Sequence, residues 1–202
     1  MPQKFKLILA SASPRRAEIL RNAGFAFEVM APRVDESLRP NETAADYVLR
    51  LAEEKARTTR CQLSDKLARD SSVIVGADTV VVIDNEILGK PSSPENAGEM
   101  LRRLSGKTHE VYTGLAVVPG NGTARTAVER TRVTFAHLNE KEIEDYIAGG
   151  EPFDKAGAYA IQGHGGKFIS RIEGCYFNVM GLPLSRLYSL LREIEADCQT
   201  SP

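Results

Sequence analysis

Asp78 is the residue whose surroundings most demand an explanation. It interrupts Val73-Ile74-Val75-Gly76-Ala77-Asp78-Thr79-Val80-Val81-Val82-Ile83, a run otherwise apolar and rich in β-branched residues. A carboxylate buried there costs several kcal/mol unless it is paired, bound to a metal or open to a pocket. Such a group can serve as a general base or a metal ligand. The same pattern also suits a turn aspartate joining two strands, Val73–Val75 and Val80–Ile83. Gly76 removes a side chain two residues earlier, as a close approach by another group requires.

A second concentration of chemistry is Leu9-Ala10-Ser11-Ala12-Ser13-Pro14-Arg15-Arg16. Phe5 to Leu9 reads as a short buried strand. Ser13 reads as an N-cap, Pro14 as the first helical residue and Gly24 as the stop, with Ile19, Leu20 and Ala23 facing a core. Arg15 and Arg16 fall in the first turn, where the helix dipole disfavours each cation by roughly 0.3–1 kcal/mol. An anion would reverse that sign, drawing together the free N–H groups, the hydroxyls of Ser11 and Ser13, and two guanidinium groups. Two solvated arginines at a surface helix start fit the pattern equally.

Other polar residues extend the theme. Glu36 follows Asp35 in a polar loop, and with Asp78 it offers the oxygen ligands that Mg²⁺ or Mn²⁺ prefers. Lys55 lies on the apolar side of a helix through Val48, Leu51, Ala52 and Ala56, where a lysine either snorkels to solvent or delivers its ammonium to a phosphate. Lys90 is aimed by the rigid Pro91 behind it. Gln162 stands in a glycine-rich stretch, Gly157 to Gly166, and its carboxamide offers one donor and one acceptor. That matches the imide edge of uracil or thymine, although glycine clusters are more often plain surface loops. His109, His137 and His164 show no metal-ligand spacing, and Gly163-His164-Gly165-Gly166-Lys167 is not a phosphate-binding P-loop.

These residues need a scaffold, and alternating strand-like and helix-like segments supply an α/β layered fold. Beyond the first strand and helix, strands are expected at Phe27–Ala31, Val73–Val75, Val80–Ile83, Val111–Val118, Ala127–Phe135 and Phe168–Ile172. Thr43-Ala44-Ala45-Asp46 opens a long helix, Ser93-Pro94-Glu95 begins another that Gly106 ends, and Asn139 caps a third ending at Gly149-Gly150. Asp84-Asn85 and Pro119-Gly120-Asn121-Gly122 read as hairpin turns. Leu184, Leu187, Leu191 and Ile194 give a C-terminal helix its face. Residues 1–202 read as a single domain, with about 110–150 as the candidate for a smaller lobe.

Composition narrows the function. Of 202 residues, 42% are hydrophobic, enough for a real core, and the net charge of −1 lacks the basic field that nucleic acid demands. The brief apolar run after Met1 is too short for a signal peptide and nothing approaches a membrane span, so the expectation is a soluble, cytoplasmic protein. Cys61, Cys175 and Cys198 are odd in number and widely spaced, which argues against disulfides and zinc.

The octapeptide resembles the signature of the Maf family of nucleoside triphosphate pyrophosphatases. The resemblance runs on through Val34-Asp35-Glu36, Leu51-Ala52-Glu53-Glu54-Lys55-Ala56, Gly76-Ala77-Asp78-Thr79 and Leu88-Gly89-Lys90-Pro91. It continues with Leu104-Ser105-Gly106, Asp154-Lys155-Ala156-Gly157, Ile161-Gln162-Gly163 and Gly181-Leu182-Pro183-Leu184. It implies an elongated α/β/α layered fold on a mixed sheet, ITPase/Maf-like, with a central cleft between two lobes. By the same resemblance Asp78 is the general base, Glu36 belongs to the active site, and Lys55 and Lys90 line the triphosphate site.

Arg15, Thr79 and Gln162 match the branch that prefers dTTP and UTP over 7-methyl-GTP. The implied reaction is hydrolysis of the α–β phosphoanhydride, with Arg15, Arg16, Lys55 and Lys90 on the phosphates and Asp78 and Glu36 holding a divalent cation. The implied role is removal of modified nucleotides, and homodimers occur in the family. The competing readings are hydrolysis of 7-methyl-GTP and a non-catalytic nucleotide-binding regulator of cell division. A structural or RNA-binding module fits the charge and the low aromatic content poorly.

Overall fold

The computed structural model describes residues 5–63, 71–120 and 123–200, with 198–200 described by their backbone alone. Asn121 and Gly122 of the expected hairpin turn, and the Cys198 side chain, therefore lie outside the described residues.

Strand β1 (Lys6–Ala10) buries four apolar residues in a row. It hands over to α1 (Pro14–Asn22) through Ser13, whose extended backbone and following proline start the helix without a side-chain cap. Gly24, at φ +79°, ends it. Ile19 and Leu20 are buried as expected, but Ala23 is exposed and Arg16 is buried instead. Strand β2 (Phe27–Val29) is shorter than expected. Helix α2 (Ala44–Gln62) opens on Thr43, whose Oγ1 accepts from the Asp46 N–H at 3.1 Å.

The two β-branched runs flanking Asp78 prove to be one strand, β3 (Ser72–Ile83). Asp84 and Asn85, both left-handed, turn it into β4 (Glu86–Leu88). There follow α3 (Pro94–Leu104), β5 (Thr108–Pro119), β6 (Arg125–Phe135) and α4 (Glu140–Ala148), the last opened by a full capping box between Asn139 and Glu142. Three short 3₁₀ turns lead to β7 (Ile169–Glu173), α5 (Tyr176–Val179) and α6 (Leu184–Thr200).

The sheet is mixed, in the order β2-β1-β3-β5-β6-β7, with β4 on β3. Strands β2 and β3 run parallel to β1, whereas the β3–β4 and β6–β7 pairs are antiparallel. Among the described residues no helix is long and apolar enough to cross a membrane.

The chain forms two compact units. The first holds residues 1–78, 113–129 and 181–202. Its core joins small and β-branched residues, including Ala10, Ala52, Ala56, Ile74 and Val118, and Leu187, Leu191 and Ile194 of α6 are buried in it, with Leu184 only partly so. The second unit holds residues 79–112 and 130–180, around Leu101, Phe135, Tyr159 and Phe168. Within the stretch 110–150, residues 113–129 fall in the first unit and residues 110–112 and 130–150 in the second. His109 is a core residue of the second unit: its Nε2 lies 2.8 Å from the Tyr159 hydroxyl, and burial pushes its pKa down to about 4.

Candidate functional site

In the first unit the site begins with a close contact between a helix and a strand. A β-carbon on Gly76 would stand 2.0 Å from the carbonyl oxygen of Ala52, so only glycine lets the α2 backbone lie directly on β3. Gly114 does the same on β5, where a β-carbon would meet the Val48 carbonyl oxygen at 2.2 Å. Val48, Ala52 and Ala56 keep the facing side of α2 buried and mostly small. Lys55 is one turn beyond Ala52, and Asp78 is two residues beyond Gly76 on the same strand face. The helix therefore sets the lysine over the aspartate.

Lys55 Nζ lies 2.6 Å from Asp78 Oδ1 and 2.6 Å from Glu36 Oε1. Its side chain is 11% exposed and that of Asp78 13%, whereas that of Glu36 is 56% exposed. One ammonium thus gathers both carboxylates, and the lysine neither snorkels to solvent nor stands alone. Asp78 lies between the stretches of β3 that pair with β1 and with β4. Strand β1 accompanies β3 as far as Ala10↔Gly76, and β4 pairs with it from Val81↔Leu88. Asp78 and Thr79 fall between, in mid-strand and not in a turn.

The loop bearing Glu36 is held by α2. The Tyr47 hydroxyl donates to the Glu36 carbonyl at 2.7 Å, and Arg50 Nη2 donates to the Ser37 carbonyl at 3.0 Å. Arg50 is fixed in turn by a fork onto Glu42, at 2.5 and 2.8 Å. Tyr47 is withdrawn from water near Asp78 and Glu36, which raises its pKa to about 12 and keeps the hydroxyl a donor. Asp35 Oδ1 accepts from the Ser37 N–H at 2.9 Å, which makes Asp35 the residue that shapes the turn. Neither Tyr47 nor Arg50 stood out in the sequence. Their signal is helical spacing, since Tyr47 lies two turns before Lys55 on the same helix.

The octapeptide splits its roles. Arg16 is only 8% exposed. Its Nε donates to the Gly181 carbonyl at 2.8 Å, and its Nη1 to Ser11 Oγ at 3.0 Å and the Ala77 carbonyl at 2.9 Å. Ser11 Oγ also accepts from the Ser13 N–H at 3.2 Å. Burial lowers the Arg16 pKa, with Arg15 adding to that and with Asp78 and Glu36 opposing it. A buried guanidinium needs acceptors on its edge, and here they are two carbonyls and a hydroxyl. Arg16 and Ser11 therefore tie the mouth of α1 to the backbone next to Asp78. Arg15 and Ser13, both partly exposed, remain at that mouth, where α1 has no acidic residue in its first turn.

Thr79, Lys90 and Gln162 belong to the second unit. Thr79 is partly buried, and Lys90 and Gln162 are exposed. Gly157, in the turn ahead of the Gln162 loop, donates its N–H to the Gly89 carbonyl at 3.0 Å, beside Lys90. The segments carrying Lys90 and Gln162 are thereby fastened together.

The family profile described as Maf-like protein matches residues 6–194. A protein of Bacillus cereus named dTTP/UTP pyrophosphatase is 46% identical over 192 residues, spanning 95% of this chain and 97% of that protein. Its namesake in Bacillus anthracis is 47% identical over the same shares. Among solved structures, a nucleoside-triphosphatase/dITP/XTP pyrophosphatase of Mycobacterium abscessus is 17% identical. It covers 66% of this chain and 75% of that chain, with a TM-score of 0.40.

Proposed function

This chain belongs to the Maf-like protein family, and we propose that it hydrolyses dTTP and UTP to the nucleoside monophosphate and pyrophosphate. The observation that carries the chemistry is Lys55 bridging Asp78 and Glu36, with the mouth of α1 tied beside Asp78 by Arg16. The similarity to dTTP/UTP pyrophosphatases over 95% of the chain supports the substrate.

The reaction adds water across the α–β phosphoanhydride. A water oxygen bonds to the α-phosphorus, the bridging bond breaks, and the pyrophosphate oxygen takes the bond's electron pair. Asp78 accepts the water's proton, and Lys55 keeps its carboxylate aimed. Arg15, Ser13 and the positive end of the α1 dipole bind phosphate oxygens, and Lys55 and Lys90 offset charge that grows on the leaving group. Gln162 pairs with the imide edge of the base, and Arg15 and Thr79 join it in selecting the nucleotide.

Asp78 and Glu36 are hard oxygen donors of the type Mg²⁺ or Mn²⁺ takes. Among the described residues no three His, Cys, Asp or Glu side chains converge on one point, so substrate phosphates would complete the shell. When bound, the cation would polarise the phosphate and lower the pKa of a coordinated water.

The test is pyrophosphate release with Mg²⁺ or Mn²⁺ from dTTP, UTP, CTP, ATP, GTP and 7-methyl-GTP. Turnover of dTTP and UTP above the rest is expected. Preference for 7-methyl-GTP would overturn the assignment of Arg15, Thr79 and Gln162, and binding without turnover would replace the enzyme by a nucleotide-binding regulator.

A further inference from the structure

The exposed Gln162 sits on a loop that would wander unless something held it. The Glu151 carboxylate and the Tyr146 hydroxyl grip it on both sides. Glu151 Oε1 accepts from the Tyr146 hydroxyl at 2.9 Å and from the Gly165 N–H at 3.2 Å, and Oε2 accepts from the His164 N–H at 2.9 Å. On the other side of Gln162, the Tyr146 oxygen accepts from the Ala160 N–H at 3.2 Å. The backbone is therefore pinned two residues before Gln162 and two and three residues after it.

Packing around the pin is tight. A β-carbon on Gly163, the residue next to Gln162, would stand 2.8 Å from both Glu151 carboxylate oxygens, and one on Gly165 would stand 2.6 Å from the Tyr146 hydroxyl. The Tyr146 ring itself is 4% exposed and packs edge-on against Phe168 at 5.1 Å. Glu151 is held by its own backbone as well, since Lys155 Nζ donates to its carbonyl at 2.8 Å. Desolvation works against the Glu151 charge, but its three donors and Lys155 outweigh it and lower its pKa. Beside this anchor lies a pocket of about 320 Å³ lined by Tyr146, Glu151 and His164, which gives the loop room to shift once released.

We infer that Glu151, acting with Tyr146, is a positioning residue for base selection, fixing the turn on which Gln162 meets the nucleobase. This rests on the reading of Gln162 as the base-reading residue. Glu151 itself touches no substrate. Its effect is on which base is accepted, not on the chemical step.

The test compares kcat/KM for dTTP and CTP in wild type, Glu151→Gln, Tyr146→Phe, Gln162→Ala and the Glu151→Gln/Gln162→Ala double variant. A glutamine at 151 places an amide donor against backbone donors, and phenylalanine at 146 keeps the ring while removing the hydroxyl. Both single variants should lower the dTTP-to-CTP ratio about tenfold, the order expected for a lost hydrogen bond to a charged group. The change should fall on KM more than on kcat, and the double variant should show no further loss of ratio beyond Gln162→Ala.

General destabilisation would lower both rates together and leave the ratio where it was, which would overturn the inference. An additive double variant would overturn it too, by showing that Glu151 does not act through Gln162. If Glu151→Gln does not fold, Tyr146→Phe decides by the same criterion. A wild-type enzyme that does not discriminate dTTP from CTP would overturn the base-reading role of Gln162 and this inference with it. Discrimination in wild type that Gln162→Ala reduces and Tyr146→Phe leaves intact would overturn the anchoring alone.

Discussion

Gly76 meets the carbonyl oxygen of Ala52 so closely that a β-carbon would stand 2.0 Å from it. That contact lets α2 lie on β3, and the meeting of Lys55 with Asp78 follows from it at one helical turn and one strand repeat.

Gly76→Ala should therefore damage stability and catalysis together. The clash is with backbone, which cannot rotate away, so a loss of about 3 kcal/mol is expected. Urea unfolding measures the loss, and the fraction that stays folded should show a reduced kcat because Lys55 is displaced. Unchanged stability would contradict the contact.

Arg16→Lys separates a structural cation from a phosphate ligand. Lysine keeps the charge but cannot reach the carbonyls of Ala77 and Gly181 and the Ser11 hydroxyl together. Leaving buried acceptors unpaired should cost about 2–4 kcal/mol in urea unfolding. Preserved stability with a raised KM would instead place Arg16 on the phosphates.

Tyr47→Phe frees the backbone of Glu36 from α2. The residue is only partly buried, so stability should barely move, whereas kcat/KM for dTTP should fall about fivefold, as for one lost hydrogen bond. Steady-state kinetics beside thermal unfolding would check the split.

Glu42 gives the Glu36 loop an acid limit. Its hydrogen bonds from Arg50 hold its pKa at about 2, against desolvation and with help from the Arg39 N–H and the charges of both arginines. The unfolded chain takes up this proton near pH 4.5, well before the folded state does. The stabilisation is complete above that pH and fades as pH falls toward about 2. Unfolding midpoints measured across this window should drop in wild type, and Glu42→Gln should be less stable at neutral pH with a flatter profile.

The sequence made the strands, the capped helices and the polar cluster around Asp78 readable because local rules govern them. Thr43, Ser93 and Asn139 all start helices as capping chemistry requires. Gly76 signalled a close approach, and the structure identifies its partner as the Ala52 backbone. What stayed hidden depends on long-range packing. A first-turn arginine gives no local sign of being buried on carbonyls 61 and 165 residues away, as Arg16 is. Tyr47 and Glu151 look like ordinary surface residues until the loops they grip are in place. Asp78 looked compatible with a turn because nothing local reveals that β1 stops and β4 starts on either side of it.

The central claim is that the Asp78 carboxylate held by Lys55 takes the proton of the attacking water. The most direct measurement is pyrophosphate release from dTTP by Asp78→Asn beside wild type, with dTTP affinity measured on both proteins. Release should fall by about 10³-fold while binding stays within about tenfold. An Asp78→Asn enzyme that keeps most of its turnover would contradict that role.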